Sequence, residues 1–381
     1  MIDLATALPT TTPCLSQALS EGLSRLSRDA DLVNNIRENR PFGSEQDRRS
    51  GANWLSRRFG TPLDPSSVVL TNGTQSALLW ILQSETRPGD ILVAEQLAYL
   101  RLRPVAQSLG LRVVGVDMDE EGIVPDALEV VCRQSGPKAL FCTPTLQNPT
   151  LAVMSSARRL EIAKVARTHD LLIVEDDVLG LLHPDAPPPL HSFAPERSYY
   201  ILSLSKSLAM GLRLAYVILP SYRKAPDADE PFARASYLFP NALSCELTNL
   251  LIETDRVDGV LYSARLDIEE RQKIARYFLG RFLPRFAAGA LHVWLPVKNR
   301  TTAEVISNEA FRRGVALRAA SIFSIGDRPA PNALRVAVTA PKSLDVLAQG
   351  LEIVAEILCN PPKAETRGSP DRHQPERTDL S

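Results

Sequence analysis

Short apolar runs alternate with longer amphipathic stretches between about residues 51 and 219, and this alternation limits the possible folds more than any other feature of the sequence. The apolar runs have the length of strands and are SVVL (67–70), ILVA (91–94), RVVGV (112–116), ALFCT (139–143), LLIVE (171–175), YYILS (199–203) and LAYVIL (214–219). The helix-like stretches between them are Gln75–Ser84, Leu100–Leu109, Pro125–Gln134 and Ser156–Thr168. Strands separated by helices of this length need crossover connections, which predicts an α/β fold with a mostly parallel sheet sandwiched by helices.

A second unit begins near Asp258 with the charged stretch SARLDIEERQKIARYFLGRFL, in which opposite charges recur four residues apart as in an exposed helix. It continues with the strand ALHVWLPV, the helix AEVISNEAFRRG, the strands VALRA and ALRVAV, and a last helix over Leu344–Leu358. We therefore predict four parts, which are an N-terminal arm (1–45) with a helix at about Leu15–Leu32, a large domain (46–257), a small α+β domain (258–360) and a disordered, proline-rich tail (361–381).

The charges are nearly balanced, with 43 Lys and Arg residues against 44 Asp and Glu residues spread along the chain. Because no basic block is present to hold a polyphosphate or an anionic bilayer, we expect neither nucleic acid nor a membrane surface as a partner. No run reaches the roughly 18 apolar residues of a membrane span, and the N-terminus has an acid where a signal peptide has Lys or Arg. We therefore expect a cytoplasmic protein.

The cysteines and histidines give no sign of a metal site. The five cysteines are scattered, at Cys14, Cys132, Cys142, Cys245 and Cys359. Without a CxxC pair they predict neither a disulfide framework nor bound zinc, and Cys142 in its apolar run is expected to be a buried, inert thiol. The five histidines are equally dispersed, which argues against a metal cluster and against a hydrolase centred on histidine.

The segment TNGTQSALLW follows the first predicted strand. In doubly wound sheets the functional residues lie at the carboxyl ends of the strands. Gly73 makes a turn there, and Thr74 and Gln75 open a helix whose free backbone N–H groups suit a phosphate. Simple helix capping would produce the same residues, so both interpretations stay open for this segment alone.

Polar side chains follow three further strands. Tyr99 follows ILVA, Asn148 precedes a proline in the turn after ALFCT, and Asp176 and Asp177 follow LLIVE. Taken singly, the tyrosine has an ordinary structural explanation in packing, and the two carboxylates have one in capping.

The most informative segment follows YYIL and reads SLSKSLAMGLRLAY (203–216). Lys206 lies between hydroxyl side chains, and Arg213 follows seven residues later, before another strand. With the other strand-end motifs in this order, the segment resembles the active-site segment of fold-type I pyridoxal-phosphate enzymes of the class I/II aminotransferase family. The resemblance is closest to the aminotransferase-like domain of GntR/MocR-type proteins, and it covers nearly the whole chain to about residue 360.

The resemblance implies pyridoxal 5′-phosphate as the cofactor and a role for each motif. Lys206 would form a Schiff base with it and later move a proton at the α-carbon of an amino-acid substrate. Asp176 would face the pyridine nitrogen, Tyr99 would stack on the ring and Asn148 would donate a hydrogen bond to the ring oxygen O3′. The phosphate would be held by Gly73, Thr74, Gln75, Ser203, Ser205 and Arg213. Arg335, in the segment NALR, would bind the substrate's α-carboxylate as a bidentate fork.

Several positions depart from the family's pattern. Leu179 stands where relatives have a tyrosine that donates a second hydrogen bond to O3′, and Leu151 replaces the glycine of NPTG. The Glu-x-Pro-x-Tyr element reads EQLAY, ending at Tyr99, and Glu38 stands near the position of a tyrosine that reaches the neighbouring subunit's phosphate. We interpret these changes as a sign that the chemistry has moved away from transamination.

Three classes of function follow from the motifs. The first, favoured because it is the commonest in the family, is an aminotransferase acting on an L-amino acid or an amino-acid conjugate. The second, motivated by Leu179, is a C–S β-lyase or a decarboxylating or oxidatively deaminating enzyme of a specialised biosynthetic pathway. The third is a non-catalytic effector-binding domain, which we do not expect because no basic DNA-binding segment precedes the arm. The resemblance also implies a homodimer with shared active sites.

Overall fold

The computed structural model describes residues 1–37, 39–183, 185–226, 239–298, 301–326 and 328–362. The strands in these ranges are β1 (Ile2–Asp3), β2 (Val68–Thr71), β3 (Ile91–Glu95), β4 (Arg112–Val116), β5 (Met118–Asp119), β6 (Gly122–Ile123), β7 (Ala139–Cys142), β8 (Leu172–Asp176), β9 (Ser198–Ser203), β10 (Ala215–Ile218), β11 (His292–Pro296), β12 (Val315–Ala316), β13 (Arg318–Ala319) and β14 (Ala333–Ala337). The α-helices are α1 (Pro13–Leu26), α2 (Leu32–Ile36), α3 (Glu45–Phe59), α4 (Thr74–Glu85), α5 (Leu102–Ser108), α6 (Pro125–Ser135), α7 (Ser156–Thr168), α8 (Ala242–Glu253), α9 (Arg256–Leu279), α10 (Ala303–Arg312) and α11 (Leu344–Cys359).

A seven-stranded sheet forms the centre of the molecule, in the order β2-β10-β9-β8-β7-β3-β4. Only β10 runs antiparallel to its neighbours, and the other adjacent pairs are parallel. Every residue of β2, β3, β7, β8, β9 and β10 is buried, as in sheets with both faces covered. The α/β prediction is therefore confirmed, and this strand order makes β8 and β9 direct neighbours in the middle of the sheet.

A second sheet contains β11, β14 and β13, all antiparallel. Its apolar side chains form a separate core with residues of α9, α10 and α11. Arg335 lies on the central strand β14, paired with Trp294 on one side and Arg318 on the other. The predicted domain boundaries at 46–257 and 258–360 stay a prediction. Of the predicted disordered tail, only Pro361 and Pro362 lie among the described residues.

The N-terminal arm is more ordered than predicted. Its first residues form β1, which pairs in parallel with β12, and Leu4 is fully buried in the core of the second sheet. The predicted helix over 15–32 is also wrong at its end, because α1 stops at Leu26. The carboxylate of Asp29 accepts a hydrogen bond from the backbone of Asp31 at 2.9 Å, a local turn that competes with the helix.

Three helices are missing from the sequence-based description, α2, α3 and α8. In α3 the apolar periodicity is hidden, because the buried face holds Asp47 and Arg58 beside Trp54 and Leu55. Its start is well defined by a capping box between Ser44 and Asp47. The predicted single strand VALRA is divided between β12 and β13, which belong to different sheets.

Gly51 allows α3 to lie directly against the central sheet. An added Cβ would come within 2.4 Å of Cε1 of Tyr216, whose ring is fully buried. We expect Gly51→Ala to lower the free energy of unfolding by about 1 to 3 kcal/mol because the ring has no space to move into. The matched control is Gly259→Ala in α9, where the nearest atom is 3.6 Å away and a stabilisation of up to about 1 kcal/mol is expected. Urea denaturation measures both, and equal stability of the two variants would contradict this packing.

Candidate active site

Two adjoining cavities lie at the carboxyl ends of the central strands. They share seven lining residues: Ala7, Thr74, Tyr99, Asn148, Ser205, Lys206 and Arg335. Between them they are lined by every residue predicted for the site: Gly73, Thr74, Gln75, Tyr99, Asn148, Asp176, Ser203, Ser205, Lys206, Arg213 and Arg335. The positions therefore come together as predicted, whereas the roles of the residues stay predictions.

One end of the site has the donors that an anion requires. Helix α4 begins at Thr74 without a side-chain cap, after Gly73 with φ of 83°. A Cβ on Gly73 would lie 3.4 Å from Nη2 of Arg213, an ordinary contact, so the guanidinium lies beside the helix terminus and the glycine is favoured by its positive φ. The hydroxyl of Ser203 donates to that of Ser205 at 3.1 Å in the same region. A helix N-terminus, two hydroxyls and a guanidinium together complement a phosphate dianion.

Asp176 lies at the other end of the site, where β8 leaves the sheet. Side chains alternate between the two faces of a strand, so Asp176 points away from Glu175 and Asp177 and lines the cavity. Its Oδ1 is buried without a hydrogen-bond partner, and no ion pair joins Asp176 to any of the described residues. Burial, reinforced by the negative charge of Asp177, raises the pKa of Asp176 to about 7.

Lys206 lies between the two ends of the site. Burial lowers the pKa of Lys206 to about 8, assisted by the charge of Arg335 and opposed by that of Asp176. Its Nζ donates a hydrogen bond to the backbone carbonyl of Ala7 in the N-terminal arm. An amine of this kind is partly neutral near neutral pH, which is the condition for acting as a nucleophile or a base.

Arg335 joins the two sheets at the site. Its Nη1 donates to Oδ1 of Asn148 at 3.0 Å, its Nη2 donates to the carbonyl of Ala5, and its guanidinium lies 5.0 Å from the ring centre of Phe323. Burial lowers the pKa of Arg335 to about 10, to which the charge of Arg318 also contributes. The guanidinium stays charged at neutral pH, and its Nε has no partner among the described groups.

These residues fit pyridoxal phosphate by their chemistry. The unpaired carboxylate of Asp176 suits a protonated pyridine nitrogen, and Lys206 suits an aldehyde. The part of the cavity lined by Gly73, Ser205 and Arg213 suits a phosphate group.

The structure adds residues that the sequence-based reasoning missed. Glu95, recognised only as the first residue of EQLAY, is buried and accepts hydrogen bonds from the backbone N–H of Thr143 at 3.0 Å and from Nε2 of Gln147 at 3.2 Å. These bonds hold the loop that carries Asn148. Burial raises the pKa of Glu95 to about 7. The only sequence signal for this role was an acid at a strand end, followed by Tyr99.

His292 also lines the cavity, beside the same loop. Its Nε2 lies 2.9 Å from the carbonyl oxygen of Pro149, and burial lowers the pKa of His292 to about 3. It is therefore neutral. No sequence signal identified it, because it comes from the second unit, far from the strand-end motifs.

The departures from the family pattern have structural counterparts. Leu179 is buried and lines the cavity, so an apolar side chain occupies the place expected for a hydroxyl donor. Leu151 keeps a left-handed backbone, with φ of 62°, although it replaces a glycine. Glu38 lies outside the described residues. Cys142 is a buried free thiol, and burial raises its pKa well above the ordinary value, as predicted for an inert cysteine.

Within the described ranges, no helix is long and apolar enough to cross a membrane. The same residues contain no group of three or more His, Cys, Asp or Glu side chains that could hold a metal ion.

Comparison with solved structures defines the class of fold. The chain superimposes on the kynurenine aminotransferase of Pyrococcus horikoshii with a TM-score of 0.82 at 22% identity, covering 96% of this chain and 92% of that one. It superimposes on the α-aminoadipate aminotransferase LysN of Thermus thermophilus, solved with N-(5′-phosphopyridoxyl)-L-leucine, with a TM-score of 0.79 at 24% identity, covering 94% and 92%. The fold is that of the fold-type I aminotransferases.

Residues 38–352 match the model of the family described as aminotransferase class I and II, and the chain belongs to this family. It is 33% identical over 308 residues to an uncharacterized HTH-type transcriptional regulator of Bacillus subtilis, covering 80% of this chain and 65% of that protein. It is 28% identical over 343 residues to an uncharacterized aminotransferase of Saccharolobus solfataricus, covering 83% and 81%. The chain spans 58% and 66% of two further B. subtilis regulators that it matches.

The unpaired carboxylate of Asp176 has a measurable consequence for stability. The pKa of Asp176 is raised to about 7 in the folded protein, so folding favours the protonated form of this side chain. The stability contributed in this way is lost as the pH rises from the ordinary pKa of an aspartate towards 7. Asp176→Asn removes this loss. The measured quantity is the free energy of unfolding of cofactor-free Asp176→Asn minus that of cofactor-free wild type. We expect this difference to be at least about 1 kcal/mol more positive at pH 8 than at pH 5. Urea denaturation at the two pH values measures it, and a difference that does not change with pH would contradict a buried, unpaired carboxylate.

Proposed function

We propose that the protein is a pyridoxal-phosphate-dependent enzyme that acts on an L-amino acid or an amino-acid conjugate, in the manner of an aminotransferase. One observation carries the proposal. The buried carboxylate of Asp176, without an ion-pair partner among the described residues, lines the same cavity as Lys206 and Arg335. A large domain over 46–257 would hold the cofactor, and a small domain over 258–360 would contribute Arg335.

The residues of this chain have separate tasks in such a reaction. Pyridoxal phosphate, when bound, supplies an electron sink for negative charge that develops at the substrate's α-carbon. Asp176 would keep the ring nitrogen protonated, and Tyr99 would stack on the ring. Gly73 and Arg213 would hold the phosphate together with Thr74, Gln75, Ser203 and Ser205.

Lys206 and Arg335 handle the substrate. The amine of Lys206 would take the proton from the substrate's α-carbon and would deliver it to the aldehyde carbon of the cofactor, for which a pKa lowered to about 8 is well suited. Arg335 binds the α-carboxylate as a fork, and Asn148 holds one edge of the guanidinium at 3.0 Å. The carbonyl of Ala5 accepts a hydrogen bond from Arg335, and the carbonyl of Ala7 accepts one from Lys206. Polar groups of a substrate could replace these carbonyls as the acceptors.

Leu179 favours a second reaction type on the same cofactor. Because Leu179 lines the cavity without a hydroxyl group, O3′ would have a hydrogen bond from Asn148 but none from position 179. The fate of the charge at the α-carbon would then differ from that in relatives with a tyrosine. This favours β-elimination, decarboxylation or an oxidative deamination that uses dioxygen over transamination.

The relatives favour a third candidate, an effector-binding domain. Three of the proteins that this chain matches are described as uncharacterized HTH-type transcriptional regulators of B. subtilis. In this case the site would bind the cofactor and an amino acid without releasing a product.

One experiment separates the three candidates. Protein loaded with pyridoxal phosphate is incubated with a panel of L-amino acids and cysteine S-conjugates, and pyridoxamine phosphate, pyruvate, ammonia and carbon dioxide are measured. We expect pyridoxamine phosphate to form and the original absorbance to return with a 2-oxo acid. Lys206→Ala should abolish the turnover, whereas Lys273→Ala on the exposed face of α9 should leave it unchanged.

The other outcomes of the panel identify the alternatives. Pyruvate, ammonia or carbon dioxide without pyridoxamine phosphate would favour the lyase or oxidative enzyme. A spectral change with a substrate but without a product would favour the effector domain. Absence of bound cofactor in the wild type would contradict all three.

We further propose a homodimer with shared active sites, as the resemblance implies. The expected result is a dimer of about twice the chain mass of 41.8 kDa in sedimentation equilibrium at micromolar concentration. A monomer that retains full turnover would contradict shared sites.

A further inference from the structure

Two arginines lie behind the site and meet the charges on either side of Asp176. Arg58 of α3 donates from Nε to Oδ2 of Asp177 at 2.8 Å, and Arg159 of α7 approaches Oε1 of Glu175 at 3.5 Å. All four of these side chains are buried. Three consecutive acidic residues therefore enter the protein interior with guanidinium partners for the first and the third.

Thr145 connects the two arginines. Its Oγ1 accepts hydrogen bonds from Nη2 of Arg58 at 3.3 Å and from Nη2 of Arg159 at 3.0 Å. Thr145 lies on the loop that carries Asn148. The two guanidinium groups thus link the end of β8 to the neighbouring loop after β7.

Asp177 is held in a single position. Tyr200 donates from its hydroxyl to Oδ2 of Asp177 at 2.9 Å, beside the bond from Arg58. The carboxylate lies against Gly180, where an added Cβ would come within 2.2 Å of Oδ2. Arg58 is fixed as well, since its Nη1 donates to the carbonyl of Pro187 at 2.7 Å.

This arrangement has an electrostatic consequence for Asp176. The negative charges of Asp177 and Glu175 both raise the pKa of Asp176, whereas Lys206 across the cavity lowers it. A guanidinium that neutralises Asp177 weakens the strongest of these unfavourable charge interactions. Without Arg58, a second buried carboxylate would lie unpaired next to the first, a situation that proteins avoid.

We propose that Arg58 is a positioning residue which, through its ion pair with Asp177, favours the ionised form of Asp176 when the protonated ring nitrogen of the cofactor faces it. The inference rests on the proposed function, because it needs a cofactor with a protonated ring nitrogen. Arg58 itself lines neither cavity, so its effect passes through Asp177.

The test compares variants that break the same ion pair from opposite sides. Arg58→Met leaves Asp177 charged and unpaired, so we expect the Kd for pyridoxal phosphate to rise at least tenfold and the absorbance spectrum of the bound cofactor to change. Asp177→Asn removes the neighbouring negative charge, so we expect a Kd within threefold of wild type. The double variant should behave like Asp177→Asn, because the charge that harms Asp176 is absent from it.

The control for loss of a buried arginine is Arg271→Met. Arg271 of α9 is buried, pairs with Asp267 at 2.7 Å and donates to the carbonyls of Val338 and Pro341, but it does not line either cavity. We expect the Arg271→Met substitution to lower the melting temperature without changing the absorbance spectrum of the bound cofactor. Fluorescence titration of cofactor-free protein gives the Kd values, and thermal unfolding of the same samples gives the stability.

The outcomes are decisive in both directions. Equal losses in Arg58→Met and Asp177→Asn, or a double variant as weak as Arg58→Met, would show a purely structural role and overturn the inference. If Arg58→Met does not fold, Arg58→Lys replaces it. Because the lysine keeps the charge, a Kd within threefold of wild type supports the inference and a tenfold loss overturns it. A wild-type protein that binds no cofactor overturns the proposed function instead.

Discussion

Burial of three consecutive acidic residues at the end of β8 is the constraint around which the rest of the site is organised. Strand alternation sends Glu175 and Asp177 to one side, where Arg159 and Arg58 meet them, and sends Asp176 to the cavity. Within the described chain Asp176 has no ion-pair partner. A buried carboxylate without an ion-pair partner lowers the stability of the folded protein. A ligand that places a positive group beside the carboxylate compensates for this loss of stability.

This constraint explains how distant parts of the chain come together. Arg58 comes from α3, Arg159 from α7 and Thr145 from the loop after β7, so the charges of β8 tie two helices and a loop to the strand end. The same loop carries Asn148, which reaches Arg335 on the second sheet at 3.0 Å. The arm completes the enclosure, since the carbonyls of Ala5 and Ala7 lie on Arg335 and Lys206. The end of the site at Asp176 and the end at Arg335 are thereby part of one network.

The central sheet and the front of the site could be predicted from sequence for a simple physical reason. Buried parallel strands are continuous apolar runs, and their carboxyl ends meet at one edge, so Thr74, Asp176 and Lys206 were expected to be neighbours. The support behind the site could not be predicted. Arg58 and Asp47 interrupt the apolar face of α3, which hides the helix in the sequence. A buried arginine cannot be distinguished from a surface arginine by sequence until its partner is known, and the partner of Arg58, Asp177, is 119 positions further along the chain. The arm contacts Lys206 and Arg335 through backbone carbonyls, which carry no sequence signal.

The central claim is that Lys206 and Asp176 form a site for pyridoxal phosphate. Reduction of the cofactor-loaded protein with borohydride, followed by peptide mass spectrometry, tests it most directly because the reaction fixes the cofactor to the lysine that holds it. The account predicts one modified peptide, containing Lys206, in stoichiometric amount, and a smaller modified fraction when Asp176 is replaced by alanine and the cofactor is present near the wild-type Kd. Modification spread over exposed lysines, or no modification at Lys206, would contradict it.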